Sequence, residues 1–126
     1  MNEADLFLEK SLENLQCAES EFAAGRYNSC ANRCYYSCFQ AAIAALLRED
    51  IRPARGGWGH EGVQSQFSGV LIGRRKRFPS EFRSTLSDLQ HLRNQADYSS
   101  ERVAETQAFR ALRRCREFVQ TIQRNG

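Results

Sequence analysis

Apolar positions recur with helical spacing along most of the chain. Leu8, Leu12, Leu15 and Phe22, with Ala18 between the last two, share one side of a helix spanning about Glu3 to Ala23. Gly25 then breaks the pattern and predicts a short turn, so the second helix must run back beside the first. That helix, about Tyr27 to Arg48, carries a stripe of small residues: Tyr27, Cys30, Ala31, Cys34, Cys38, Ala41, Ala42 and Ala45. Tyr35, Phe39 and Leu46 flank the stripe, and Tyr36, Ile43 and Leu47 cover the opposite side. A helix apolar nearly all round must be surrounded, by its own bundle or by a second subunit, and small residues let its neighbours come close.

Residues 49–62 contain Pro53 and four glycines and read as a long loop that Trp58 can pin to the bundle. A short third helix, about Glu61 to Gly73, presents Val63, Phe67, Val70 and Leu71. Pro79 is expected to open the fourth helix, which carries Phe82, Leu86, Leu89, Leu92 and Ala96 on one face and ends near Asp97 or Tyr98. Ser99 and Ser100 are expected to cap the fifth helix, with Glu101 in its first turn. Its inward face is Ala104, Ala108, Ala111, Leu112, Cys115, Phe118, Val119 and Ile122. The pattern predicts an all-α protein, an antiparallel bundle of four to five helices in one domain over residues 1–126.

The length of 126 residues supplies one core and not two. With 41% hydrophobic and 26% charged residues the composition is that of a globular protein. No apolar run approaches the roughly 20 residues a membrane crossing needs. The N-terminal stretch carries acids where a secretion signal would be basic, so a cytoplasmic location is expected. Cys30, Cys34 and Cys38 repeat every four residues, without a Cys-x-x-Cys pair or a nearby histidine. They read as core thiols rather than as metal ligands, and neither metal nor cofactor is expected.

The net charge of +3 is unevenly spread. Residues 1–51 hold four Lys/Arg against eight Asp/Glu, and residues 52–126 hold fourteen against seven. Such a dipolar surface suits self-association or capture of a polyanion. Arg74, Arg75, Lys76 and Arg77 are the candidate contacts to nucleic-acid phosphates; the same run also reads as a solvated loop. Arg93 is the misplaced residue. At 100° per residue it falls between Leu86 and Leu89, near the middle of the apolar stripe. An arginine there needs a carboxylate, an anion or a wet cleft. Asp97, four residues on and on the same side, can be its partner within the helix, or the stem can snorkel to the bundle edge; an interfacial phosphate is the functional alternative, which the guanidinium fork suits. His91 projects to the opposite, solvent face, and His60 in the glycine-rich loop is placed to cap or order the third helix.

Two segments carry a family resemblance. Gly25-Arg26-Tyr27 leads into Cys34-Tyr35-Tyr36-Ser37-Cys38-Phe39-Gln40-Ala41-Ala42, and Leu92-Arg93-Asn94-Gln95-Ala96-Asp97-Tyr98 follows later. Together they resemble the HEPN superfamily, small helical domains of prokaryotic toxin–antitoxin pairs and nucleases. The resemblance implies a homodimer and, in active members, metal-independent ribonuclease activity at an arginine, a polar residue and a histidine. Arg93 and Asn94 match the start of that motif, and Tyr98 stands at the first position open to the histidine. Ser99 and Ser100 fill the later ones. Tyrosine is a weak general base near neutrality, so the resemblance implies RNA binding with cleavage weak or absent. It also allows an alternative, a non-catalytic dimeric partner of a small nucleotidyltransferase. The nucleotide-accepting tyrosine of such pairs corresponds here to Ser100, and that modification is not expected.

Overall fold

The computed structural model describes residues 2–53 and 56–125, so positions 54 and 55 of the expected loop lie outside the described residues. It is an all-helical bundle, with no strand among the described residues. Helix α1 spans Glu3–Ala23 and α2 spans Tyr27–Arg48, both as the apolar spacing predicts. The Asn2 side chain caps α1 by accepting the Asp5 N–H at 2.9 Å. Gly25, at φ +77°, closes α1: Arg26 N–H bonds Glu21 O and Gly25 N–H bonds Phe22 O, the paired bonds of a Schellman end.

The direction of each helix follows from its contacts with α2. Asn28 near the start of α2 accepts the Val103 N–H at 2.8 Å, and Arg48 at its end donates to Ile122 O at 2.8 Å. Helix α5 (Glu105–Arg124) therefore runs parallel to α2. Helix α4 (Thr85–Tyr98) runs antiparallel to both, since Asp97 meets Asn32 and Gln95 meets Gln107. Sequential long helices thus alternate up and down, with α2 enclosed by α1, α4 and α5.

Thirteen of the 22 residues of α2 are buried, most of them Ala, Cys or Ser, and this lack of bulk sets the close packing. At the α1 contact, Ser11 Oγ donates to Ser37 O at 2.6 Å and Ser37 Oγ donates to Ser11 O at 2.7 Å, so both buried hydroxyls are satisfied. Cys30, Cys34, Cys38 and Cys115 are buried thiols of the α2–α5 region, with burial pushing the Cys38 thiol up, while Cys17 is exposed. Phe67, Phe78, Phe82 and Phe118 form an aromatic cluster.

The short elements depart from the expected pattern. The third helix begins as α3 (His60–Gln66) and widens into a π-helical segment, Phe67–Arg74. In an α-helix Ile72, five residues after Phe67, would point roughly 140° away from it. The wider turn brings Phe67, Leu71 and Ile72 into the core together. Pro79 opens a 3₁₀ turn, Ser80–Arg83, rather than α4 itself; that turn buries Phe82 and α4 begins at Thr85. Ser99 and Ser100 do not cap α5, and Glu101 is not in its first turn. Ser99 Oγ instead accepts the Glu101 N–H in a local turn. The connection runs on until Val103 is buried, and the Gln107 side chain accepts the Ala104 N–H at 2.9 Å to start α5. Ala104 is consequently exposed rather than inward.

No helix among the described residues is long and apolar enough to cross a membrane.

Candidate functional site

Arg93 sits where the helical period puts it, in the α4 face that packs on α2, with 8% of its surface exposed. Its Nη1 donates to the Tyr36 hydroxyl at 3.3 Å, and its Nε is buried with no hydrogen-bond partner. The guanidinium carbon lies 5.3 Å from the Tyr35 ring centre, 5.7 Å from that of Tyr36 and 5.9 Å from that of Tyr98. Three aromatic faces thus supply the attraction that a carboxylate would ordinarily provide.

Asp97 is not the partner that the i, i+4 spacing suggests. Its Oδ2 accepts from Asn32 Nδ2 at 2.9 Å. Helical side chains lean toward the N-terminus, so Arg93 reaches away from Asp97, and a cation N-terminal to an acid is the weaker order for such a pair. Tyr98 leans back over Arg93 by the same rule and remains 78% exposed. Asn94 is exposed beside it.

Two further residues complete the site and were missed in the motif reading. Arg33 of α2 lies over the Tyr36 ring at 5.5 Å and donates to Asn14 Oδ1 at 3.1 Å. Tyr36 therefore has a guanidinium from α2 and one from α4 against it. Among the described residues no carboxylate lies within ion-pair distance of either arginine. Arg33 is three residues before Tyr36, which places both on one helix face; that spacing was the available signal. The second residue is His60. It packs against Tyr35 at 5.4 Å, Phe39 at 5.1 Å and Tyr36 at 6.4 Å between ring centres. Its Nδ1 is hydrogen-bonded to the Tyr35 hydroxyl. Burial lowers the His60 pKa, and the Arg93 charge lowers it further. Burial also pushes the Tyr35 phenol up to about 12, so at neutral pH the hydroxyl keeps its proton and can either donate to Nδ1 or accept from it, according to the imidazole tautomer. His91 is exposed, as expected.

The basic run lies elsewhere. Arg75 is paired with Glu49 at 2.9 Å and Arg77 with the same carboxylate at 3.3 Å. Arg75 also donates to the Glu49 carbonyl at 3.1 Å. The arginines hold the Glu49 carboxyl below its ordinary range, with Arg75 the larger influence. Arg74 and Lys76 are exposed, and Lys76 takes the left-handed φ of +51° that ends the π segment. Glu49 is thirteen residues past Tyr36, so this patch is displaced from Arg93 by roughly 20 Å along α2.

The HEPN domain profile matches residues 4–125, and the chain belongs to that family. It is similar to two proteins of Methanocaldococcus jannaschii. One, named Putative toxin MJ0605, is 26% identical over 97% of this chain and 87% of that protein. The other, Putative toxin MJ0142, is 26% identical over 78% of this chain and 63% of its own length.

Proposed function

We propose that this chain is a toxin-type HEPN protein that binds RNA through the Arg93 surface as a homodimer, with metal-independent cleavage weak or absent. One observation carries the reading. Arg93 is buried without a carboxylate, has an Nε that nothing bonds, and is flanked by an exposed Tyr98. Burying an unpaired charge costs several kcal/mol, so an anion arriving there gains an interaction the folded chain lacks. RNA supplies both a phosphate for the guanidinium fork and bases that stack on tyrosine. The names of the two M. jannaschii relatives support the toxin-type role. In this reading two Arg93 and two Tyr98 side chains line one basic cleft between protomers, and Arg74 and Lys76 contribute phosphate contacts farther out.

Fluorescence anisotropy with a labelled single-stranded RNA tests the reading. Affinity should fall steeply with salt, and Arg93→Ala should weaken binding at least tenfold while the dimer persists. Neutralising Arg74 and Lys76 should lower the salt slope by about 0.7 per lost phosphate contact. Metal-free incubation of purified protein with RNA reads any cleavage, which Arg93→Ala should abolish. Equal RNA affinity in wild type and Arg93→Ala would overturn the reading. It would leave the non-catalytic partnership with a small nucleotidyltransferase, which co-purification of the two proteins tests.

A further inference from the structure

Beside the guanidinium that nothing neutralises sits an imidazole contributed by a different part of the chain. His60 and Arg93 pack against the same two rings, Tyr35 and Tyr36, from α3 and α4 respectively. The charged and titratable groups facing His60 are the two phenols on α2 and the Arg93 guanidinium on α4; Glu61, next to it on its own helix, is exposed. In the neutral tautomer whose Nδ1 accepts from the Tyr35 hydroxyl, the ring carries its proton on Nε2, and that nitrogen is a donor.

We propose that His60 is a second anion-binding residue of the Arg93 site, and that a phosphodiester bound at Arg93 draws one proton onto His60. This rests on the RNA-binding reading and adds to it a residue and a pH dependence.

The physical sequence is short. In the free protein, burial foremost and the Arg93 charge after it lower the His60 pKa and favour the neutral ring. A bound phosphate cancels that repulsion and adds an attraction of its own, favouring the imidazolium. The incoming proton takes Nδ1, and the Tyr35 hydroxyl turns from donor to acceptor. The Tyr35 oxygen can make that change because burial keeps the phenol protonated. The imidazolium then donates through Nδ1 to Tyr35 and through Nε2 toward the phosphate. Binding is thereby coupled to proton uptake. Affinity falls as pH rises between the His60 pKa of the free protein and that of the complex, by up to about tenfold per pH unit.

The chain holds two histidines, and His60→Gln assigns their resonances. The imidazole resonances of the full chain are titrated by NMR, free and saturated with a short 2′-O-methyl oligouridylate, a probe that resists cleavage. The same oligonucleotide is measured by anisotropy across the pH range. His60 should titrate below the ordinary imidazole value of about 6.5 in the free protein, and its pKa should rise by about one unit or more on binding. The affinity of wild type should drop about tenfold across this window, and that of His60→Gln should be flat. Should the oligonucleotide bind through Arg93 with the His60 pKa unmoved, the proton coupling is overturned and the RNA-binding reading stands. Absence of binding would overturn both. A parallel titration with inorganic phosphate separates the sources: an equal His60 shift there assigns the coupling to phosphate chemistry alone, and a smaller one assigns part of it to the bases held at Tyr98.

Discussion

A charged side chain buried in a helical core ordinarily comes with its countercharge, and Arg93 comes with phenols instead. Its position was legible because the period of α4 places it among leucines whatever surrounds it. Its surroundings were not legible, since Tyr36 lies 57 residues earlier and His60 reaches the site from beyond a glycine-rich loop. The spacing-based pairing with Asp97 failed for the same reason: local proximity along a helix ignores where the side chain leans. If Arg93 is kept for binding, stability should not need it. Arg93→Met, measured by chemical denaturation, should leave stability unchanged or raise it by about 1–2 kcal/mol, because apolar replacements of buried charges are often stabilising. A loss of several kcal/mol would make Arg93 a structural residue. His60 gives a second test. Its folded pKa is depressed below the ordinary value of about 6.5. The unfolded chain therefore takes up the proton first, and stability falls as pH drops from about 6.5 to the folded value. Thermal melts from pH 7.5 down to 5 should show this loss in wild type, and His60→Gln should lack that component.

At the scale of elements, α1 and α2 could be bounded from sequence because both follow a long uninterrupted period and Gly25, which takes a positive φ, marks the turn between them. The π segment, the 3₁₀ turn and the late start of α5 have no such local cause. Core packing dictates them: it brings Ile72 and Val103 inward against the simple period, and it holds Phe82, inward as the period expects, on a 3₁₀ turn rather than on α4. The contact between α2 and its neighbours depends on small side chains at full burial, as at Ala42, which is wholly enclosed. Ala42→Leu should cost about 1–3 kcal/mol by overpacking, read as a lower denaturation midpoint with an unchanged slope. Glu49 is an element-scale clasp, joining the end of α2 to the basic run. Its depressed carboxyl stabilises the fold above its ordinary pKa, and the contribution is lost as pH falls through the folded value. Both arginine pairs are partly exposed, so Glu49→Gln should cost under about 1 kcal/mol. By freeing Arg75 and Arg77 it should also tighten RNA binding and steepen its salt dependence, which anisotropy measures.

For the whole molecule, the acidic front half and basic back half are partly reconciled by folding. Glu3 pairs with Arg52, Glu19 with Arg116, and Glu49 with Arg75 and Arg77, so four of the six ion pairs among the described residues join the two halves. The unevenness that the sequence shows is thus in part an internal bond rather than a free surface. What stays exposed on α1 is Asp5, Glu9 and Glu13, and elsewhere Arg74, Lys76, Arg110 and Arg113 are exposed. Two modes of self-association follow, with opposite responses to salt. A dimer that brings two Arg93 surfaces together sets like charges face to face, across distances comparable to the screening length of about 8–10 Å. Such a dimer should tighten as salt rises, and should tighten again when RNA neutralises the cleft. A dimer that lays the acidic face of α1 on exposed arginines of a second copy should instead loosen with salt. Sedimentation velocity at low and high ionic strength, with and without RNA, separates them. We expect the first pattern, because a buried guanidinium lacking a counterion gives the Arg93 face a reason to meet an anion that the acidic helix, already partly neutralised within its own chain, does not supply.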